Sequence, residues 1–332
     1  MPPSLLAFER RWARMRREIR TVCPMPSTTP RYRTFPALRP GDPVVAVAPA
    51  GPFDRAAFEA GLEVIARRYQ VHYDPGMLTR HRYLAGSDER RLSELVSALG
   101  DTGSRAIFCA RGGYGMMRLL ARLDGITPAA KAVIGFSDIT ALHQLLQRQG
   151  LVSIHGPVLT QLSRLEAHTH ARMFELLEAE APAADLTGAE TYVDGAAEGP
   201  LLGGNLSVLT RLIGTPFLAP LEGAILLLED IGERPYRLDR MWTHLALAGV
   251  FRQVRGIVLG ELIGCEEKDA DYSSADVLRE LTAATGLPCA AGFPIGHGAH
   301  NQAVPLGVRV RLDAGNRRLT FLEGAARGPS RL

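Results

Sequence analysis

A serine, a histidine and a carboxylate can together carry out nucleophilic acyl transfer, and this sequence holds each in a setting that suits the part. Ser137 lies in the stretch AVIGFSDITAL, Ala132 to Leu142. There the apolar run Ala132-Val133-Ile134 meets Gly135, and Ile139, Leu142 and Leu145 then recur at spacings of three. Strand, sharp turn and helix in that order hold a hydroxyl at the carboxyl end of a strand, beside the first free N–H groups of the helix. Such a seat suits a nucleophile and the stabilisation of an oxyanion. The pattern is G-x-S-D and not the full G-x-S-x-G elbow, and the plainer reading of Ser137 or Asp138 is a helix N-cap.

A serine nucleophile needs a base, best held by a carboxylate that fixes its tautomer and balances the imidazolium. Among nine histidines, His297 lies between Gly296 and Gly298, where the backbone is free to turn tightly, and His155 precedes Gly156-Pro157. Glu229 directly follows the apolar run Ala224 to Leu228, where a buried carboxylate needs a hydrogen-bonding partner; Asp230 and Glu233 are its rivals. The residue types alone leave these choices open. The loop Arg111-Gly112-Gly113-Tyr114-Gly115 also admits two readings. It could cradle a phosphate at a helix start, or Gly112 or Gly113 could join Asp138 in donating backbone N–H groups to an oxyanion, at about 3 to 4 kcal/mol for a single donor. The spacing fits neither nucleotide-binding glycine motif, and no H-E-x-x-H or clustered His/Cys set points to a metal.

These residues need strands and helices to position them. Val44 to Ala48, Gln70 to Tyr73, Ala106 to Cys109 and Ala132 to Ile134 read as short strands separated by helical segments, with Ser87 placed to cap a helix running to Leu99. The alternation predicts a mostly parallel β/α domain over residues 43–165, and in such sheets ligands sit beyond the carboxyl ends of the strands. Residues 166–198, helical at first and then loose, read as a connection. Residues 199–325 read as a second, β-containing α/β domain, with a helix over Leu206 to Leu212, strands over Ala224 to Leu228 and Gly256 to Gly260, and a helix over Arg240 to Ala248.

The composition bounds the rest. A chain of 332 residues, 46% hydrophobic, is long enough for two domains, and no apolar run reaches transmembrane length. Residues 1–40 carry nine arginines against Glu9 and Glu18, so the net +3 of the chain leaves −4 on the remainder, which argues against a nucleic-acid surface. Within this extension (1–42 with its linker), Leu5, Phe8, Trp12, Met15 and Ile19 trace a basic amphipathic helix: a peripheral helix, a membrane-surface anchor without stable insertion, or an extension upstream of a start at Met25. Cys23, Cys109, Cys265 and Cys289 are far apart and suit a reducing compartment.

From about Pro43 to Leu312 the chain resembles the bacterial LD-carboxypeptidases (muramoyltetrapeptide carboxypeptidases), whose relatives include microcin C immunity peptidases. The resemblance rests on Tyr83-Leu84-Ala85-Gly86-Ser87-Asp88, Arg111-Gly112-Gly113-Tyr114-Gly115, Gly135-Phe136-Ser137-Asp138-Ile139-Thr140-Ala141-Leu142 and His155-Gly156-Pro157. It continues in Gly203-Gly204-Asn205-Leu206, Leu228-Glu229-Asp230-Ile231, Tyr236-Arg237-Leu238-Asp239-Arg240 and Gly292-Phe293-Pro294-Ile295-Gly296-His297. It implies a Ser137–Glu229–His297 triad at a domain interface, an oxyanion hole from the backbone of Gly112, Gly113 and Asp138, and substrate contacts near Asn205. Arg111, Tyr114 and Arg234 complete the expected substrate-binding set, the arginines as partners for a terminal carboxylate.

The implied reaction is cytoplasmic hydrolysis of an amide between an L-centre and a C-terminal D-amino acid in a murein peptide, with no cofactor, no metal, no nucleic acid and, by analogy, a homodimer. The competing readings are an immunity-type peptidase acting on peptidyl or aminoacyl nucleotides, for which Tyr236 and Trp242 are the aromatic residues near the triad acid, and a non-catalytic peptide- or phosphate-binding protein. The arginine-rich extension departs from the family pattern.

Overall fold

Short β-branched and apolar runs form the first sheet. In the computed structural model, which describes residues 31–328, the strands before residue 160 are β1 (Phe35–Pro36), β2 (Pro43–Val47), β3 (Gln70–His72), β4 (Ala106–Cys109), β5 (Ala132–Gly135) and β6 (Ser153–His155). The expected amphipathic helix over Leu5 to Cys23 lies outside the described residues. Each crossover returns the chain parallel, because a helix or helical turn covers it: β3, β2, β4, β5 and β6 are parallel neighbours in that order. Asp54 caps the helix Arg55–Ala66 by accepting the Ala57 N–H at 2.8 Å. Ser87 caps Asp88–Gly100 as expected, accepting the Arg90 N–H.

The later strands are β7 (Leu186–Thr187), β8 (Glu190–Val193), β9 (Ala196–Asn205), β10 (Ile225–Ile231), β11 (Gly256–Ile263), β12 (Cys289–Ala291), β13 (Val304–Leu306), β14 (Arg309–Asp313), β15 (Arg318–Phe321) and β16 (Ala326–Arg327). Eight of them form one mixed sheet in the order β7-β15-β14-β9-β10-β11-β12-β8. Strand β9 changes partner along its length. Residues 196–200 run antiparallel to β14, and residues 201–205 run parallel to β10. The segment 166–198, read from sequence as a connection, contributes the helix Ala167–Glu178 and two strands of this sheet, β7 and β8. Their pairing partners lie 96 to 133 residues away, so the local sequence carried little sign of them. The helix expected over Arg240 to Ala248 begins earlier, at Pro235, whose fixed φ suits a first helical position.

Two strand pairings join early and late parts of the chain. Strand β13 leaves the second sheet's sequence neighbourhood and pairs antiparallel with β6, Val304 opposite His155, and β1 pairs with β16. The loop between β12 and β13 therefore crosses from the second sheet to the first. A continuous core lies between the sheets, drawing Ile134 and Ile154 from the first and Leu201, Ile225 and Leu227 from the second. Among the described residues no helix is long and apolar enough to cross a membrane.

Candidate active site

Strand β5 delivers Ser137. Phe136 is still extended, and Ser137 then turns to φ +63°, a left-handed conformation that a side chain adopts only at a cost of about 1 to 2 kcal/mol. A short 3-10 turn, Ser137–Ile139, leads into the helix Thr140–Arg148. The backbone of Gly112 packs directly on the serine: a Cβ built on Gly112 would stand 2.8 Å from Ser137 Cβ and 3.1 Å from its Oγ. Only glycine allows this approach. The expected glycine loop thus lies against the expected nucleophile.

Strand β10 delivers the carboxylate. Its alternation puts Ile225 and Leu227 into the core between the sheets and Leu226 and Leu228 into the outer layer. Glu229 continues the inner face, and Asp230 the outer. The register with β11 shifts at this point, where one residue of β10 between Leu228 and Asp230 stands opposite two of β11, Gly260 and Glu261. Glu229 is fully buried, and its Oε2 lies 2.7 Å from Nδ1 of His297. Asp230, also buried, accepts from Ser207 N–H, Ile231 N–H and Asn205 Nδ2. Burial outweighs these hydrogen bonds and pushes its carboxyl up to about 6. Glu233 pairs instead with Arg237 at 3.3 Å.

His297 rides on the crossing loop, and three contacts fix it. Asn301 accepts the Gly296 N–H and donates to Gln161 of the first domain at 2.7 Å. Glu261, at the end of β11, accepts the Gly298 N–H at 2.9 Å. Gly296, at φ +124°, leaves room for Glu229, because a Cβ there would stand 2.7 Å from Oε2. The imidazole packs on Phe136, the residue before Ser137, with ring centroids 4.7 Å apart. Its Nδ1 faces Glu229, which leaves Nε2 for proton exchange.

The rival, His155, is buried among Phe136, His143 and Gly204, with neither ring nitrogen hydrogen-bonded in the protein. Burial drives its basicity well down, with His143 and His297 adding to the effect, so it is held neutral and has no carboxylate to orient it.

Two further side chains carry weight that the sequence did not reveal. Asp138 was expected to act through its backbone N–H, yet its buried carboxylate accepts the Met116 N–H at 2.8 Å and so ties the end of the glycine loop to the serine turn. Burial raises its carboxyl to about 6. Arg91, fully buried in the helix Asp88–Gly100, donates to Gly115 O at 3.0 Å, to Pro49 O and to Asp88. A buried arginine carries no sequence signal beyond its place on the inner face of a helix.

The expected substrate contacts divide. Arg111 donates to Pro52 O from an exposed position, Tyr114 is half-exposed beside Tyr83, and Arg234 lies exposed 3.8 Å from Glu267. Asn205 is different. It is buried, and its side chain caps the helix Leu206–Leu212, accepting from Val208 N–H and Ser207 Oγ and donating to Asp230. Its backbone N–H reaches Thr140 Oγ1 across the sheets at 2.9 Å. The amide thus helps to hold the strand ends together at the position where the resemblance implied contact with substrate. Cys109, Cys265 and Cys289 are free and buried.

Two family descriptions match this chain: LD-carboxypeptidase N-terminal domain over residues 44–156 and LD-carboxypeptidase C-terminal domain over residues 198–312. The chain belongs to the LD-carboxypeptidase family. It is 38% identical to the murein tetrapeptide carboxypeptidase of Pseudomonas aeruginosa over 297 residues, 82% of this chain and 94% of that protein. Among solved structures, the muramoyltetrapeptide carboxypeptidase from Oxalobacter formigenes superposes with a TM-score of 0.76 at 28% identity, covering 87% of this chain and all of that one. MccF in complex with glutamyl sulfamoyl guanosine superposes at 0.80 and 21% identity, covering 89% and 99%, a likeness of fold. This LD-carboxypeptidase is accordingly a serine-type peptide hydrolase built on the family's two-domain mixed α/β architecture.

Proposed function

We propose that this LD-carboxypeptidase releases the C-terminal D-alanine of murein tetrapeptide through a Ser137–His297–Glu229 triad. The observation that carries the reading is the buried Glu229 at 2.7 Å from His297 Nδ1, with the imidazole packed against Phe136, the residue before the strained Ser137. Ser137 Oγ attacks the carbonyl of the L–D amide while Nε2 of His297 takes its proton. Glu229 fixes the tautomer and balances the imidazolium. Charge on the carbonyl oxygen is met by backbone N–H groups of Gly112 or Gly113 and of Asp138. Collapse of the tetrahedral intermediate breaks the C–N bond, and the departing amine of D-alanine takes the proton back from His297. A water molecule, deprotonated by the same imidazole, then hydrolyses the ester and regenerates Ser137.

Arg111, Tyr114 and Arg234 are our candidates for holding the substrate, the arginines at its terminal carboxylate. We place the enzyme in the cytoplasm, where its buried free cysteines stay reduced, acting as a homodimer on murein peptides. The deciding experiment measures D-alanine release from L-Ala-γ-D-Glu-meso-diaminopimelate-D-Ala by the parent and by Ser137→Ala. Release by the parent alone supports the reading. Absence of release from a folded parent overturns it, and peptidyl-nucleotide amides then become the substrates to assay.

A further inference from the structure

The fold also gathers three metal-binding side chains outside the triad. Glu166 precedes the helix Ala167–Glu178, and His168 lies in its first turn. His300 arrives 132 residues after His168 on the crossing loop, and its carbonyl accepts the Thr169 hydroxyl at 2.9 Å. Gln302 donates to the same hydroxyl at 3.3 Å, so the loop backbone is registered on the helix start. The result is that His168 and His300 face each other with ring centroids 5.8 Å apart, and His168 Nδ1 lies 3.2 Å from Glu166 Oε2. One ligand atom from each of the three residues lies within 4.8 Å of the other two.

We propose that Glu166, His168 and His300 bind a transition-metal dication of the zinc class. Two imidazoles and one carboxylate form a borderline donor set that favours zinc over magnesium or calcium, which prefer all-oxygen ligands. Bonds of about 2.0 to 2.1 Å in a tetrahedron put ligand atoms roughly 3.3 to 3.4 Å apart. All three side chains are exposed, so small rotations close the difference, and the fourth position is left to water. The positive end of the helix opposes a cation here, and the Glu166 carboxylate offsets it. Bound metal would staple His300 to the helix, and with it the loop that carries His297 three residues earlier. The ion has no part in the hydrolysis proposed above.

The test is zinc titration of the full chain, free of any affinity tag and stripped with chelator, by calorimetry, with magnesium as the control. The expected result is one zinc per chain at micromolar dissociation constant, no heat from magnesium, and slower amide hydrogen exchange over residues 296–302 when zinc is present. His300→Ala and His168→Ala should each weaken binding about tenfold or more, Glu166→Gln should weaken it too, and His297→Ala should leave it unchanged. Failure to bind zinc, or equal binding by the His168→Ala/His300→Ala double variant, overturns the proposal.

Discussion

Glu229 and His297, 68 residues apart in sequence, meet at 2.7 Å because Glu229 falls on the inner face of β10 and the loop from β12 to β13 brings His297 to it. Gly296 must lack a side chain for the carboxylate to fit, and Phe136 packs against the imidazole. Replacing Glu229 by Gln keeps the shape and removes the charge that balances the imidazolium. The variant should lose roughly a thousandfold or more in kcat with little change in KM, measured as D-alanine release.

The left-handed turn at Ser137 yields a stability contrast. Ser137→Gly and Ser137→Ala should both abolish turnover, but glycine relieves the φ of +63° and alanine does not. Chemical denaturation should find the glycine variant more stable than the alanine variant by about 1 kcal/mol, after allowing for glycine's larger unfolded-state entropy. A glycine variant less stable than the alanine variant by about 0.5 to 1 kcal/mol would mean that the turn carries no strain.

Asp138 links the site to pH. Its carboxyl ionises near 3.8 in an unfolded chain and is raised to about 6 by burial in the fold. Between those values the native state holds a proton that the unfolded state has released. Stability therefore falls as pH rises from about 4 to about 6 and stays lower above that, by on the order of 3 kcal/mol for this group. Asp138→Asn removes the titration. Urea unfolding should show little difference from the parent at pH 4 and an advantage for the variant that grows through pH 6 and then levels off. Asp230, raised in the same direction, preserves part of the slope in both proteins.

Asn205 separates capping from substrate binding. Asn205→Ala removes the acceptor for Val208 N–H and a partner of the buried Asp230. The expected cost is about 1 to 2 kcal/mol of stability, read by denaturation, with KM unchanged at temperatures where the variant is folded. A raised KM at undiminished stability would assign the residue to substrate contact instead.

The sequence alone determined the local units. An apolar run ending at Gly135, a serine in the turn and a helical period after it specify strand, turn and helix around Ser137, and Ser87 announces its own helix, because these depend on backbone preferences within a few residues. Resemblance in the order of its motifs carried the family. Tertiary structure decided what local preference cannot. Glu229 and Asp230 are adjacent acids after one apolar run, and only the packing of the second sheet against the first makes one face interior and the other the cap of a neighbouring helix. His155 and His297 both sit near glycines in loops or strand ends, and the choice between them rests on which one meets a carboxylate. The buried side chain of Asp138, the capping duty of Asn205 and the meeting of His168 with His300 were equally hidden, since each depends on strands or loops brought together from distant parts of the chain by sheet pairing.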